Sequence, residues 1–243
     1  MVRVDGRASD ELRPVVLTLG YAEYAEGSAL IEVGHTRVLC SATVQDRIPR
    51  WLHGRNQGWV TAEYSLLPRA TRERTPREIG GLRGRTQEIR RLIGRSLRAA
   101  VDLAKLGERT IIVDCDVLQA DGGTRAASIT GGYVALALAL RHLIALGDVS
   151  RHVLRSPVAG VSVGLLESQL LLDMCYSEDM IADVDLNVVM TQRGEYVEVQ
   201  ATAEGEPFGR AILNRLLDLA EKGIEELLLI QGRALRQEQR VSS

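Results

Sequence analysis

The sequence predicts one α+β domain in which β-sheets pack on central helices. Three observations support this prediction. Apolar and polar residues alternate over Pro14–Val44, which is typical of half-buried strands. An apolar stripe at helical spacing runs through Thr86–Leu106, and Ala126–Leu146 is almost wholly apolar, which is typical of a buried helix. At 243 residues, with 45% hydrophobic and 26% charged residues, the chain can bury a large core without disulfides.

The first half of the chain, residues 1–147, begins with strands and ends with two helices. Pro14–Val44 is predicted to form a β-meander punctuated by glycines. In residues 46–85 a short strand near Trp59–Tyr64 precedes a long exposed loop, which is uncommon unless the loop binds a partner. The remaining elements are a helix over Thr86–Leu106 stopped by Gly107, a strand over Thr110–Leu118, a turn over Asp121–Arg125 and a helix over Ala126–Leu146.

The second half, residues 148–237, again has strands followed by a helix. Strands are predicted at Val158–Gly164, Gln169–Tyr176, Val184–Met190 and Tyr196–Ala201, and a closing helix at Phe208–Leu235. No Pro/Ser-rich linker separates the halves, so we expect one domain over residues 1–243. The polar tail after Leu235 is expected to fray, with 238–243 outside the fold.

Charge is unevenly distributed along a chain whose formal net charge is only −2. Ten arginines and three glutamates lie between Arg69 and Arg98, and the guanidinium group suits phosphate oxygens. This basic block favours a polyanionic partner. Three cysteines without C-x-x-C spacing indicate free thiols in a reducing compartment, and no apolar N-terminal stretch or membrane span is evident, so we expect a cytoplasmic protein that binds no membrane.

The turn Gly122-Gly-Thr-Arg125 is the first candidate binding site. It follows a predicted strand and opens a helix, so its glycines would allow close backbone approach and the first helical N–H groups would face a ligand. Thr124 and Arg125 would complete an anion site, and Arg85, just before the basic helix, could add a second guanidinium. The alternatives are a tight turn with a threonine cap and a solvated arginine.

Clustered acidic residues between Ser177 and Asn187 are the second candidate. In the predicted strand, Asp183, Asp185 and Asn187 share one face, and Asp179 precedes them in a turn. Carboxylates combined with substrate phosphate suit Mg²⁺. The alternative is an edge strand with a solvated polar face. Asp114 and Asp116, on the central strand, could bind a metal or pair with arginines of the basic helix, and pairing is the favoured expectation.

The predicted exposed loop carries four further arginines. Affinity for a phosphate backbone requires many cationic contacts, which the loop could supply. The alternatives are a loop kept soluble by its charge and a protein interface. The four residues are Arg69, Arg72, Arg74 and Arg77.

Motifs along nearly the whole chain resemble those of the bacterial ribonuclease PH family, which are phosphate-dependent tRNA nucleotidyltransferases. The most specific is the run Asp114-Cys-Asp-Val-Leu-Gln-Ala-Asp-Gly-Gly-Thr-Arg125. The other matching segments include Gln57-Gly-Trp59, Thr61-Ala-Glu-Tyr64, Leu67-Pro-Arg69, Gly84-Arg-Thr86, Ser128-Ile-Thr-Gly131, Asp185-Leu-Asn-Val-Val-Met190 and Thr202-Ala-Glu-Gly-Glu-Pro-Phe208. The resemblance implies the RNase PH-like fold, two βαβ-type halves with left-handed crossovers.

The resemblance also implies an activity and a set of site residues. The activity is phosphorolytic 3′→5′ exonuclease trimming of tRNA precursors and other structured RNA such as rRNA; it releases nucleoside diphosphates and can run in reverse. The resemblance implies that phosphate, the co-substrate, is bound by Arg85, Gly123, Thr124 and Arg125. It also implies that Asp179 and Asp185 are catalytic and bind a divalent metal, Mg²⁺. The loop arginines are implied to grip tRNA, and the chain to form a homohexamer, a trimer of dimers. The resemblance assigns no role to Asp183.

Two other functions are weighed against this one. A catalytically silent, RNA-binding ring subunit of the exosome type shares the fold but lacks part of the phosphate or aspartate set, which is complete in this sequence. A hydrolytic exonuclease with two metals would need more carboxylates and no phosphate site. The products distinguish them, because phosphorolysis releases nucleoside diphosphates and hydrolysis releases monophosphates.

Overall fold

Two β-sheets lie on either side of a long buried helix in the computed structural model, which describes residues 3–241. The first sheet contains β1 (Val15–Leu19), β2 (Gly27–Val33), β3 (Thr36–Gln45), β4 (Trp59–Leu66) and β5 (Thr110–Gln119), in the order β1-β2-β3-β5-β4. Neighbouring strands are antiparallel except β4 and β5, which are parallel and joined through a helix. The predicted meander is confirmed, and the strand near Trp59 extends to Leu66.

The alternation of apolar and polar residues along β5 determines which face of the first sheet packs into the core. Ile111, Val113, Cys115 and Val117 are buried against the helices, while Asp114, Asp116 and their neighbours lie on the opposite face of the sheet. Full burial of an aliphatic side chain stabilises the fold by about 1.5–3 kcal/mol relative to exposure. This row therefore fixes which face of the sheet meets the helices.

The predicted helix over Thr86–Leu106 is wrong as one element, because the chain breaks it in two. Helix α1 spans Gly84–Ala99 and the short α2 spans Leu103–Leu106. Between them Val101 forms an isolated antiparallel bridge with Leu154, and the Asp102 N–H donates to the Val153 carbonyl at 2.7 Å. These bonds to the start of the second half replace helical ones, so the apolar spacing continues while the helix does not.

Helix α3 (Thr124–Ala145) packs against strands of both sheets. Fifteen of its 22 residues are buried, so it lacks the polar face of a surface helix. In the described part of the chain it is the one helix apolar and long enough to cross a bilayer, but 78% of its apolar window is buried within the fold. Its composition is therefore explained by its central position.

The second sheet contains β6 (Val158–Leu166), β7 (Gln169–Leu172), β8 (Val184–Thr191) and β9 (Tyr196–Ala203), in the antiparallel order β7-β6-β8-β9. The strand predicted at Gln169–Tyr176 ends at Leu172, and a one-turn helix, α4 (Tyr176–Asp179), follows it. Helix α5 (Arg210–Val241) packs on this sheet and runs past the predicted end at Leu235. The last residues of the predicted tail, 242–243, lie outside the described residues.

Candidate active site

The turn before α3 is built around two glycines with positive φ. Gly122 has φ 79° and Gly123 has φ 66°, a conformation that side-chain-bearing residues rarely adopt. Thr36 fixes the turn, because its hydroxyl accepts from the Asp121 N–H at 2.9 Å and donates to the Gly122 carbonyl at 2.7 Å. Gly123 is the N-cap of α3 and makes no side-chain cap, so the first N–H groups of a 22-residue helix are presented at this turn.

The same turn contacts the segment that begins α4 and leads to Asp179. A Cβ on Gly122 would lie 2.8 Å from backbone atoms of Cys175 and Tyr176, so only glycine allows this approach. The Tyr176 N–H, at the start of α4, donates to the Asp121 carbonyl at 3.2 Å. The two halves of the chain therefore meet backbone to backbone, and α4, which ends at Asp179, lies beside the turn.

Thr124 is held by a buried tyrosine from β4. The Tyr64 and Thr124 hydroxyl oxygens are 2.8 Å apart, and burial raises the pKa of Tyr64 while Arg85 and Arg125 partly offset the rise. Both guanidinium groups therefore lie close enough to Thr124 to affect its hydrogen-bond partner. Arg125 Nη1 also donates to Gln200 Oε1 of β9 at 2.9 Å.

Asp185, in β8, is the more perturbed of the two acidic candidates. Burial, and then the Asp179 carboxylate, raise the pKa of Asp185 to about 6; Arg125 and a hydrogen bond from Asn187 act in the opposite direction. Asn187 Nδ2 donates to Asp185 Oδ2 at 3.0 Å, whereas Asp185 Oδ1 is buried and has no partner. An unpaired buried carboxylate oxygen is costly, which indicates a site made for a proton or a cation.

The pKa of Asp179 is influenced by basic groups and by a neighbouring carboxylate. Burial raises its pKa, the attraction of Arg85 and Arg125 lowers it, and Glu204 after β9 raises it. The structure thus gathers two guanidinium groups and two carboxylates around the start of α3. The residues brought together are Arg85, Gly123, Thr124, Arg125, Asp179 and Asp185, all six predicted from the sequence; their roles remain predictions.

The residues before Asp179 are held by buried ion pairs with the N-terminal segment. Arg3 donates to both oxygens of Glu178, at 2.8 and 2.7 Å, and also to the Leu172 and Asp173 carbonyls. Arg13 donates to both oxygens of Asp173, at 2.9 and 2.6 Å, and to the Asp121 carbonyl. The N-terminal segment therefore connects α4 to the glycine turn.

Asp179 and Asp185 fit the requirements of Mg²⁺, which takes one or two carboxylates from the protein and further oxygens from substrate and water. The orphan Asp185 Oδ1 and the repulsion between the two carboxylates support this fit. Among residues 3–241 no group of three or more His, Cys, Asp or Glu side chains is placed to hold a metal. A metal here would therefore rely on substrate oxygens.

The four loop arginines lie outside this cluster, on the segment between β4 and α1. All four are exposed, and within the described chain none of them forms an ion pair. The loop is anchored beside the glycine turn, because the Ala120 N–H donates to the Ala70 carbonyl at 2.8 Å. The loop therefore brings exposed positive charge to the neighbourhood of the glycine turn.

One other expectation for acidic residues is wrong. Asp114 and Asp116 do not pair with arginines of α1: no ion pair of the described residues includes either, and burial raises the pKa of both. They lie on the face of the first sheet away from the core, where Glu63, opposite Asp114 on β4, takes the ion pair with Arg90 of α1. Asp183 precedes β8 and is exposed, unlike Asp185.

Sequence reasoning missed the supporting residues of the site. Tyr64, Gln200 and the Arg3–Glu178 pair come from segments far apart in the chain, and pairing over a separation of 175 residues leaves no local pattern. Asn187 was placed on the correct face, but its bond to Asp185 was not anticipated. Tyr64 had one available signal, since alternation in Thr61–Tyr64 places it on the buried face.

Two family profiles together match most of the chain. The profile of domain 1 of the 3′ exoribonuclease family matches residues 11–141, and that of domain 2 matches residues 156–223. A protein of Moorella thermoacetica named ribonuclease PH is 60% identical over 237 residues, which are 97% of this chain and 95% of that protein. The chain belongs to the ribonuclease PH family. The predicted RNase PH-like fold is confirmed.

Further relatives agree with this assignment. A ribonuclease PH of Corynebacterium kroppenstedtii is 58% identical over 236 residues, 96% of this chain and 93% of that protein. A chain of the Archaeoglobus fulgidus exosome, solved with RNA bound to the active site, has a TM-score of 0.79 at 26% identity and covers 93% of this chain and 91% of its own. The high-identity relatives make this chain a phosphorolytic 3′→5′ exoribonuclease of the tRNA nucleotidyltransferase class.

Proposed function

We propose that inorganic phosphate binds at the start of α3, held by Arg85, Arg125, the Thr124 hydroxyl and the Gly123 N–H, and faces the Asp179–Asp185 pair. The observation that carries this proposal is the meeting of two guanidinium groups with two carboxylates of raised pKa at one glycine turn. A phosphate dianion needs cationic partners and helix N–H groups, and both converge here. The acids alone would repel it.

The reaction follows from this placement. An oxygen of the bound phosphate attacks the phosphorus of the last phosphodiester in line, so a new P–O bond forms while the bond to the 3′-oxygen of the penultimate nucleotide breaks. The terminal nucleotide leaves as a nucleoside diphosphate. The 3′-oxygen takes the bonding pair and then a proton from water. Arg85 and Arg125 neutralise the attacking anion and orient it, which is the main contribution a protein makes to such a transfer.

Asp179 and Asp185 would hold Mg²⁺, together with oxygens of the substrate and water. When bound, the ion supplies positive charge that offsets the charge accumulating on the phosphoryl oxygens. The two carboxylates must be ionised to bind it, and Asn187 orients Asp185 for this purpose through the 3.0 Å hydrogen bond.

We further propose that the substrate is the 3′ end of a tRNA precursor, contacted by Arg69, Arg72, Arg74 and Arg77. Support comes from the exposed, unpaired state of these arginines and from the anchoring of their loop next to the glycine turn. A ring of several copies would place many such loops around one RNA. The solved exosome chain supports a ring, and we propose a homohexamer, a trimer of dimers, which light scattering in solution tests.

The direct test is product analysis with a 3′-extended tRNA precursor. The purified protein is incubated with Mg²⁺ and the labelled RNA, with and without inorganic phosphate, and the released nucleotides are separated. We expect nucleoside diphosphates only when phosphate is present. Monophosphates released without phosphate would show hydrolysis, and RNA binding without any product would show a silent subunit.

A further inference from the structure

A hydrogen bond between two hydroxyl groups links the core of the first sheet to the proposed phosphate site. Tyr64 lies on β4 beside Cys115 of β5, and its ring is buried in the hydrophobic core of the first half, with 4% of its surface exposed. Its phenol oxygen lies 2.8 Å from the Thr124 hydroxyl oxygen. Core packing therefore holds the ring, while the phenol group reaches the first residue of α3.

The direction of this hydrogen bond follows from what surrounds each hydroxyl group. By distance alone, either oxygen could donate. If Thr124 donated, the Tyr64 hydroxyl hydrogen would need another acceptor, and among the described residues Thr124 is the one hydrogen-bond partner of the phenol. A buried hydroxyl hydrogen without an acceptor is costly, whereas Thr124 is only partly buried. Tyr64 is therefore the donor and Thr124 the acceptor.

The charge state of Tyr64 favours the same direction. Burial raises the pKa of Tyr64, and the attraction of Arg85 and Arg125 offsets only part of this rise, so the phenol stays protonated near neutral pH. An ionised phenol would have no hydrogen to donate and would place a negative charge beside the proposed phosphate. The protonated phenol can donate and adds no such repulsion.

The bond from Tyr64 leaves the hydrogen of the Thr124 hydroxyl free. A hydroxyl group has one hydrogen to donate and lone pairs that accept. No other hydrogen bond of the described residues uses the Thr124 hydroxyl, and the Thr124 carbonyl accepts separately from the Ser128 hydroxyl at 2.8 Å. With one lone pair occupied by the Tyr64 hydrogen, the Thr124 hydroxyl can present its own hydrogen to an anion at the start of α3.

We propose that Tyr64 is a positioning residue for phosphate, because the hydrogen bond that it donates orients the Thr124 hydroxyl to donate to the bound anion. This inference rests on the proposed function, since it takes inorganic phosphate to bind at Thr124. Tyr64 acts through Thr124 and not by contact with phosphate. The effect of losing the phenol oxygen should therefore disappear once residue 124 has no hydroxyl group.

The test is a double-mutant cycle on the use of inorganic phosphate. Y64F removes the phenol oxygen and keeps the ring, T124V removes the threonine hydroxyl and keeps the shape, and Y64F/T124V removes both groups. For Y64F we expect about a fivefold higher KM for phosphate, with kcat at saturating phosphate and the KM for RNA close to those of the unchanged protein. T124V should raise the KM for phosphate about twentyfold, and Y64F/T124V should raise it no further.

Two control variants separate orientation of the hydroxyl from support of the core. T124S keeps a hydroxyl group, so its KM for phosphate should stay within about twofold of the unchanged protein, and adding Y64F to it should again cost about fivefold. Y133F removes the hydroxyl of a second tyrosine that is also 4% exposed and that makes no side-chain hydrogen bond to any described residue. It should leave the KM for phosphate unchanged.

Three results would overturn the inference. One is an unchanged KM for phosphate in Y64F, and another is a fivefold effect of Y64F that persists when residue 124 is valine. The third is a loss in kcat or in RNA affinity that exceeds the change in the KM for phosphate, which would make Tyr64 a support of the core only.

Titration calorimetry with inorganic phosphate and no RNA measures the same cycle apart from turnover. If the unchanged protein binds phosphate but releases no diphosphates, the proposed reaction fails, while the binding constants of Y64F, T124V and Y64F/T124V still decide the role of Tyr64. If the unchanged protein binds no phosphate, the role of Tyr64 fails together with the phosphate site.

Discussion

The two halves of the chain contribute opposite charges to the site, and they position them by different means. The first half places Gly123 and Arg125 at the start of a 22-residue buried helix, α3. The second half places Asp179 at the end of α4, which has only four residues. A single turn does not hold itself in place. Gly123 and Arg125 are therefore placed by regular core packing, whereas Asp179 is placed by ion pairs from the N-terminal segment.

The strongest disruption of the acidic side is Asp185→Asn, because it removes the charge and keeps the shape. We expect about a thousandfold lower kcat, as for loss of a group that stabilises transition-state charge. RNA binding without turnover should be retained, which filter binding measures. Full activity of this variant would contradict the metal role.

The same variant should be more stable than the unchanged protein at alkaline pH. Burial raises the pKa of Asp185 from 3.8 to about 6, so ionisation above that pH costs the folded state about 3 kcal/mol. Towards pH 4 most of this difference should be lost, and well below pH 3.8 the group is protonated in both states. Urea unfolding at pH 8 and pH 4, without metal, tests this; equal stabilities at pH 8 would show that Asp185 is not desolvated.

Removing the N-terminal support should affect α4 and leave α3 intact. Arg3→Met leaves Glu178 buried without its partner, which should cost about 3–5 kcal/mol in free energy of unfolding. Arg3→Met combined with Glu178→Gln should recover most of this loss, because no uncompensated charge remains. The matched surface control is Arg37→Met, whose pair with Glu32 is exposed and should contribute under about 1 kcal/mol.

On the phosphate side, Arg125→Ala should raise the KM for inorganic phosphate about a hundredfold, since charge-assisted hydrogen bonds contribute about 1.5–3 kcal/mol each. The KM for RNA should change little. Gln200→Ala, which frees the Arg125 side chain without removing its charge, should have a smaller effect on the same constant. An effect on RNA alone would move Arg125 out of the phosphate site.

The pH dependence of the reaction rate distinguishes two roles for Asp185. If Asp185 must be ionised, kcat/KM, which reports the pKa of the free enzyme, should fall about tenfold per pH unit below about 6 and level off above it. If Asp185 instead gives a proton to the leaving 3′-oxygen, the rate should fall above that pH. Substituting Arg125, which opposes the pKa rise, should move the transition to higher pH.

The smallest expected effect belongs to the exposed loop. Arg72→Ala with Arg74→Ala should weaken tRNA binding several-fold and reduce its salt dependence by about one to two units of slope. Turnover of a short oligonucleotide should be unaffected. An unaltered slope would show that the loop does not contact RNA.

The parts of the site that could be predicted are those with local signals. The Gly122–Arg125 turn, Arg85 and the alternation that places Asp185 with Asn187 can each be recognised within a few residues of sequence. Helix α4 could not be predicted, because a four-residue helix has no periodicity and depends on bonds to Arg3. The break after Ala99 was missed for a related reason: the bridge between Val101 and Leu154 is a long-range contact that apolar spacing does not reveal.

The closeness of Gly122 to the Cys175–Tyr176 backbone has a consequence for how the protein can be divided. With no room for even a methyl group, the spacing between the glycine turn and the start of α4 is set by main chain and not by adjustable side chains. Fragments produced by cutting at Gly147–Asp148 should each be inert. When the two fragments are mixed, they should regain turnover only to the extent that they reassociate and restore the contact between Gly122 and the Cys175–Tyr176 backbone.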